Sequence, residues 1–272
     1  RRGIALSSDR YAVIGNPVAH SLSPIIHRAF ARQSGDSLTY SVIETPLDGF
    51  ASGAAEFFDA GGRGLNVTVP FKSLAYEWVE FRDEYSHEAR AVNTIRPTKE
   101  GFKGFNTDGL GLMRDLERLG WSPADARVLI LGAGGAARGI VGPLLRGSAA
   151  AVTIANRTWR KARELADEFE GVDWTGLDKI EGLWDIVINA TSAGIDDEGA
   201  IVTRDTLRNA LCYDLYYRSD GNTPFVTWAQ AVASATSDGL GMLVEQAAEA
   251  FRIWRGYEPD TVSVLRQLRR HV

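Results

Sequence analysis

The residues with the clearest chemical potential lie in Gly64-Leu-Asn-Val-Thr-Val-Pro-Phe-Lys72, where an apolar, β-branched run ends on a long cation just past a proline. Alternation of Val67, Val69 and Phe71 with Thr68 and Pro70 predicts a short strand with one buried face. Proline cannot donate to a sheet ladder, so the strand is expected to stop or lie at an edge at Pro70. Lys72 then stands at a rigid strand end, where an ammonium can stabilise developing negative charge or pass a proton. A lysine so placed is ordinarily a solvated cap, because lysine is seldom buried unless paired. Its company elsewhere in the chain decides between the two readings.

A second group suits a phosphate. Gly132, Gly134 and Ala137 satisfy G-x-G-x-x-[GA], directly after the apolar run Arg127-Val-Leu-Ile-Leu131 and before a helical stretch to about Arg146. In that setting Gly132 permits the tight turn, Gly134 lets the backbone approach a pyrophosphate at a helix N-terminus, and Ala137 allows close helix–strand packing. Sites that take NAD carry Asp or Glu about 20 residues further on, bonding the ribose 2′-hydroxyl. Here that place holds Asn156-Arg157-Thr158, followed by Arg160 and Lys161. An acid would repel a 2′-phosphate, whereas Arg157 offers a planar fork of donors, Thr158 a hydroxyl, and Lys161 or Arg160 further charge. The expected cofactor is therefore NADP.

These groups need elements to hold them. In the first part of the chain 11–14, 39–44 and the run to Val69 read as strands, and 91–96 as extended. Helices are expected from Ser23 to about Gln33, from Phe50 to Ala60 and over 74–86, with Ser23 as N-cap and Pro24 as first helical residue of the earliest. Alternation of this kind implies parallel strands covered by helices. From about Asp108 a helix over 109–119 leads to strands 127–131, 151–156, 185–189 and 211–215, a dinucleotide-binding layout. The tail returns to helix over 240–254, with an apolar stripe through Leu243, Ala247, Ala250, Phe251 and Trp254, and again over 259–270. The expected fold class is α/β with two domains and a cleft between them. Residues 1–107 plus 239–272 form an α/β substrate domain, and 108–238 a Rossmann-type doubly wound nucleotide domain.

Composition narrows the functions available. With 272 residues, 44% hydrophobic and 24% charged, the chain has the make-up of an ordinary globular protein. A net charge of -5 argues against a nucleic-acid binder. No apolar stretch approaches the ~20 residues of a membrane span and no signal peptide is recognisable, so no membrane partner and a cytoplasmic location are expected. The single cysteine, Cys212, excludes an intrachain disulfide and any multi-cysteine zinc site, and its apolar neighbours make a buried inert thiol the expectation. The expected partner is a small-molecule substrate, with no metal, in a monomer or homodimer.

Taken in chain order, eight motifs give a resemblance. Gly15-Asn-Pro-Val-Ala-His-Ser-Leu-Ser-Pro24, Asn66-Val-Thr-Val-Pro-Phe-Lys72, Ala91-Val-Asn-Thr94 and Asn106-Thr-Asp-Gly109 resemble the shikimate dehydrogenase family. So do Gly132-Ala-Gly-Gly-Ala136, Asn156-Arg-Thr158, Asn189-Ala-Thr-Ser192 and Gly239-Leu-Gly-Met-Leu-Val-Glu-Gln-Ala-Ala248, and the likeness runs from about Tyr11 to the C-terminus. That family reduces 3-dehydroshikimate to shikimate with NADPH, a step in aromatic amino-acid synthesis, and the resemblance implies the same activity here.

The resemblance also implies roles. Lys72 and Asp108 match the family's catalytic pair, although their spacing alone does not bring them together. Ser21 and Ser23 resemble the hydroxyls that bind the substrate carboxylate, near a helix start whose dipole favours an anion, while the local alternative makes Ser23 the helix N-cap. Thr68, Asn93 and Gln246 resemble the residues that bond the ring hydroxyls, and Tyr217 the tyrosine that reaches the substrate beside the nicotinamide. Gly135, Ala136, Asn156 and Thr191 fall in the cofactor motifs, with Leu215 and Gly239 expected at the nicotinamide end. Two roles stay open for Lys72: proton donor and acceptor, or a group that mainly orients substrate. Leu215 and Phe105 depart from the family pattern, which commonly has Met and Asp there. Leu keeps an apolar contact, being similar in volume to Met; Phe105 is either a surface change or a change at the domain junction. Two rival readings are a quinate/shikimate dehydrogenase using NAD, for which an acid near Arg157 is expected, and a non-catalytic NADP or metabolite sensor, for which a replaced Lys72 is expected.

Overall fold

The computed structural model describes residues 8–191, 201–218 and 221–271. The chain divides into two compact units, the residues up to Thr107 with Gln246–Val264, and Asp108–Glu245 with the residues from Leu265 onward.

The first unit contains β1 (Asp9–Gly15), α1 (Ser23–Ser34), β2 (Leu38–Glu44), α2 (Phe50–Asp59), β3 (Gly62–Val67), α3 (Lys72–Trp78), β4 (Phe81–Arg82), α4 (Glu84–Ala89), β5 (Thr94–Thr98) and β6 (Gly101–Phe105). They form a six-stranded sheet in the order β2-β1-β3-β5-β6-β4. β1 lies between parallel neighbours and is buried from Tyr11 onward, which its unbroken apolar run anticipates. The sheet is mixed rather than parallel throughout: β5 runs antiparallel to both β3 and β6. The short Lys99-Glu100 connection makes β5 and β6 an antiparallel hairpin, because a parallel pair needs a long crossover.

Two local expectations fail here. The helix expected over 74–86 breaks into α3 and α4, with β4 between them pairing with β6. Asp83 starts α4 as a side-chain cap, accepting from the Ser86 amide at 2.8 Å. The strand expected to reach Val69 ends at Val67, and Lys72 opens a helix instead of closing a strand. A turn fills the gap, closed by the Phe71 amide donating to the Thr68 carbonyl at 3.0 Å, and it leaves Val69 62% exposed while burying Phe71 against Phe50.

The second unit contains α5 (Asp108–Leu119), β7 (Arg127–Leu131), α6 (Gly135–Arg146), β8 (Ala151–Asn156), α7 (Trp159–Ala166), β9 (Val172–Gly176), β10 (Ile186–Asn189), α8 (Arg204–Leu207), β11 (Leu211–Asp214), α9 (Pro224–Ala229) and β12 (Ala235–Ser237). Its sheet has the order β12-β11-β10-β7-β8-β9 with every pair parallel, the doubly wound arrangement expected for this part. The strand order reverses between β7 and β10, and ligands of such sheets bind beyond the strand ends at that point.

The tail forms α10 (Leu240–Arg255) and α11 (Thr261–His271), each shared between the units. The second unit thus holds α10 up to Glu245 and α11 from Leu265 onward. Packing accounts for it. A Cβ on Gly241 would stand 2.1 Å from the buried Asp115 carboxylate, which also accepts from the Tyr213 hydroxyl at 2.7 Å. Arg269 donates two bonds to Asp238, one of them at 2.8 Å. In the first unit, a Cβ on Gly64 would meet the Trp254 indole at 2.4 Å, and that indole donates to the Ile95 carbonyl at 3.0 Å. Glycine at residue 64 is what lets α10 seat on the sheet.

Candidate active site

In the first unit, two loops are pinned side by side. The Asn16 amide donates to the Val69 carbonyl and the Thr68 amide to the Ile14 carbonyl, each at 3.0 Å. A Cβ on Gly15 would stand 2.4 Å from Thr68 Cγ2, so glycine lets the serine loop meet Thr68. The serine loop is braced from β2 as well: Asn16 Nδ2 donates to the Thr45 carbonyl at 2.8 Å, and Glu44 Oε2 accepts from the Val18 amide at 3.1 Å. Ser21 Oγ accepts the Ser23 amide at 3.2 Å, which leaves its hydroxyl hydrogen to donate. Ser23 is not the N-cap. That place belongs to Leu22, which caps with no side-chain bond, and Ser23 is the first helical residue, 8% exposed.

Asn93 lies at the centre of a buried polar group. Its Nδ2 donates to Thr107 Oγ1 at 2.9 Å and to Gln246 Oε1 at 3.4 Å, and its Oδ1 accepts the Thr107 amide at 3.0 Å. Asn93 and Gln246, paired in the sequence reading only by resemblance, are thus in contact. The Val92 amide donates to the Lys72 carbonyl at 2.9 Å, which ties the first turn of α3 to the residue before Asn93. Lys72 is half-buried. Asp108, directly after Thr107, is the first residue of α5, where the helix dipole favours a carboxylate. Gly109 sets α5 against α6, because a Cβ there would stand 2.3 Å from Pro143 Cγ.

In the second unit, Gly132 has φ +107°, and a Cβ on it would lie 3.0 Å from the Ala190 carbonyl oxygen and 3.1 Å from Thr191 Cγ2. Gly134 caps α6 without a side-chain bond, and a Cβ on either Gly134 or Gly135 would meet nothing within 4 Å. The turn is therefore tight on its inner side and open before the free amides of a 12-residue helix, a cradle of the kind a pyrophosphate requires. Ala136 follows Gly135 in the first turn of α6, and Ala137 is fully buried on the β7 side.

At the end of β8, Asn156 Nδ2 donates to the Thr158 carbonyl at 3.0 Å. Arg157, Thr158, Arg160 and Lys161 are exposed around the start of α7, whose first turn holds no acid. The Thr158 hydroxyl makes no cap bond. Asn189, fully buried, accepts the Thr191 hydroxyl at 2.7 Å and amide at 3.1 Å, and donates to Asp214 at 3.0 Å. Asp214 also accepts from the Thr223 hydroxyl at 2.6 Å; burial raises its pKa, and these bonds oppose the rise. Leu215 and Gly239 are in backbone contact, since a Cβ on Gly239 would stand 2.2 Å from the Leu215 carbonyl oxygen. Tyr217 is half-buried on the loop after β11, and burial pushes its phenol up, so it stays a donor. Ser192 of the Asn189 motif lies outside the described residues.

Known families fit this arrangement in chain order. Descriptions for a shikimate dehydrogenase substrate binding domain, shikimate / quinate 5-dehydrogenase and the shikimate 5'-dehydrogenase C-terminal domain match residues 13–95, 116–214 and 239–269. The chain is 47% identical over 268 residues to a shikimate dehydrogenase (NADP(+)) of Alkalilimnicola ehrlichii, covering 96% of this chain and 99% of that protein. The chain belongs to the shikimate dehydrogenase family. Among solved structures, an Ael1 enzyme from Pseudomonas putida superposes with a TM-score of 0.91 at 44% identity, covering 96% of this chain and 98% of that one. Shikimate 5-dehydrogenase of Thermus thermophilus in complex with NADP(H) and shikimate superposes with a TM-score of 0.89 at 32% identity, covering 97% of this chain and all (100%) of that one.

Against the family pattern, Phe105 is half-buried, with the Arg96 guanidinium 5.6 Å and the Lys103 ammonium 5.3 Å from its ring centre. Sequence reasoning missed the layer of His27, Tyr40, Asn66 and Thr94. Asn66 was legible as part of a motif but carried no role, and His27 stands four residues after Ser23, on the same helix face. His27 stacks on Tyr40 at 4.4 Å, and neither ring nitrogen has a hydrogen-bond partner among the described residues. Burial lowers its pKa to about 3, with the neighbouring Asn66 amide acting in the opposite sense. Between that value and the ordinary His value, the unfolded chain binds a proton that the folded chain does not, so stability falls as pH falls. From pH 7 to pH 5 this residue is expected to remove about 2 kcal/mol. Urea unfolding at the two pH values checks it, and His27→Phe should flatten the dependence.

Proposed function

We propose that this chain catalyses the reversible, NADPH-dependent reduction of 3-dehydroshikimate to shikimate, in the cytoplasm, as a monomer or homodimer. The observation that carries the reading is the buried Asn93–Thr107–Gln246 group, which has Asp108 next in the chain and Lys72 tied to Val92. Relatives named shikimate dehydrogenase (NADP(+)) along nearly the whole chain support it.

The nucleotide unit fits NADP. The open glycine turn before α6 suits the pyrophosphate, and Arg157, Thr158 and Lys161, with no acid beside them, suit the 2′-phosphate. Bound there, NADPH supplies a hydride to the ring ketone. Thr191, Leu215 and Gly239 would face the nicotinamide half. In the other unit, the Ser21 and Ser23 hydroxyls hold the substrate carboxylate at the start of α1, while Thr68, Asn93 and Gln246 bond the ring hydroxyls. Tyr217 donates to the substrate from the loop after β11. Lys72 stabilises the negative charge that grows on the ketone oxygen and gives it a proton, with Asp108 as its partner.

Asn93→Ala tests the substrate side. It should raise KM for shikimate roughly 10- to 100-fold, since bonds lost to a buried amide are costly, and leave KM for NADP within about twofold. An unchanged KM for shikimate would remove Asn93 from the site.

A further inference from the structure

Behind Asn93 runs a continuous buried hydrogen-bond chain, whose far end, Tyr40, is also hydrogen-bonded to Ser23. It begins on β2 at Tyr40, whose hydroxyl donates to Asn66 Oδ1 at 2.7 Å. Asn66 Nδ2 donates to Thr94 Oγ1 and to the Asn93 carbonyl, each at 3.1 Å. Thr94 Oγ1 donates to Asn93 Oδ1 at 3.0 Å, and Asn93 Nδ2 then donates to Thr107 and Gln246. Tyr40, Asn66, Thr94 and Asn93 are at most 6% exposed, so water does not substitute for a missing partner.

The chain has a direction, and Tyr40 supplies the hydrogen at one end of it. A phenol has one hydrogen, and burial keeps this one protonated. An asparagine amide offers an oxygen at one end and a nitrogen at the other, and in a buried site its orientation is decided by its partners. Tyr40 selects the oxygen of Asn66, which turns Nδ2 toward Thr94. Having accepted, the Thr94 hydroxyl has its hydrogen left for Asn93 Oδ1. That bond joins the one from the Thr107 amide in holding Asn93 Oδ1 inward, with Nδ2 toward the Thr107 hydroxyl and Gln246. β1 separates the two ends of the first link: Tyr40 aligns with Tyr11 and Asn66 with Val13 on its opposite edges. His27, stacked flat on the phenol ring, holds Tyr40 in place.

We propose that Tyr40 is a positioning residue for the substrate site, bracing the Asn93 and Gln246 amides through Asn66 and Thr94. The proposal rests on the reading that Asn93 and Gln246 hold the substrate. Tyr40→Phe removes only the hydroxyl. It should raise KM for shikimate roughly tenfold, as expected for one buried bond, with kcat and KM for NADP within about twofold. Thr94→Val should reproduce the effect, Thr94→Ser should restore the parental KM, and Tyr40→Phe with Thr94→Val together should cost little more than either alone.

A lower melting temperature with an unchanged KM for shikimate in Tyr40→Phe and Thr94→Val would make the chain a core feature only and overturn the proposal. So would equal losses in KM for shikimate, KM for NADP and kcat. Should Tyr40→Phe fail to fold, the Thr94→Val and Thr94→Ser pair decides alone. If Asn93→Ala raises KM for shikimate but Tyr40→Phe does not, only the positioning role fails. If Asn93→Ala has no effect, the substrate reading fails first.

Discussion

Lys72→Ala is expected to lower kcat by roughly 10²- to 10⁴-fold, the range a positioned proton-transfer group contributes, while the Kd for NADP changes by less than about threefold. The asymmetry follows from where the residue stands. Lys72 opens α3 in one unit, with its carbonyl bonded to Val92, and the glycine cradle belongs to the other unit. Reduction of a ring ketone places negative charge on oxygen, and an ammonium aimed there is worth more as the charge grows than it is in the ground state. Alanine removes that interaction without touching the nucleotide turn. Stopped-flow turnover and fluorescence titration of NADP on the same preparation check it, and a parallel loss of turnover and NADP affinity would count against the role. A variant with raised KM for shikimate and near-parental kcat would assign Lys72 to orienting substrate instead.

Arg157→Ala should raise KM for NADP roughly 10- to 100-fold, the worth of charge-assisted bonds to a phosphate, and change KM for NAD little. Arg157 is exposed between Asn156, whose Nδ2 holds the Thr158 carbonyl, and a helix with no acid in its first turn. Nothing in that turn opposes a 2′-phosphate, and a planar guanidinium can meet two of its oxygens. NAD lacks the 2′-phosphate. Measuring both cofactors with saturating shikimate separates the outcomes: equal loss for NADP and NAD would show that Arg157 shapes the loop without reading the phosphate.

The nucleotide half was legible because its signals are local. An apolar strand, a glycine turn and a helix follow one another within 20 residues, and each residue type has a single mechanical reason to be there. The substrate half was legible only as separate motifs. The contact of Asn93 with Gln246 joins residues more than a hundred positions apart and has no trace in spacing. The same holds for Tyr40 and Asn66, which meet across β1 and look, in sequence, like an ordinary strand tyrosine and a strand asparagine. The break between α3 and α4 was hidden because apolar spacing continues through it; Asp83, three residues before Ser86, was the cap signal that went unread. Ser23 misled in the opposite way. A serine before a proline is a strong helix-start sign, yet Leu22 takes the cap position, and the amide of Ser23 is met by Ser21. The residue with the expected chemistry is present, one position deeper in the helix than the propensity rule puts it.

The most direct test of the account is turnover of the purified chain with shikimate and NADP, followed by reduced-nicotinamide absorbance, beside the same assay with NAD and with quinate. The account predicts rapid reduction with shikimate and NADP and little with either substitute. Comparable efficiency with NAD would contradict the selectivity argued from Arg157, comparable efficiency with quinate would favour the broader quinate/shikimate reading, and NADP binding without turnover of any pair would contradict the assignment of Lys72 and Asp108 to chemistry.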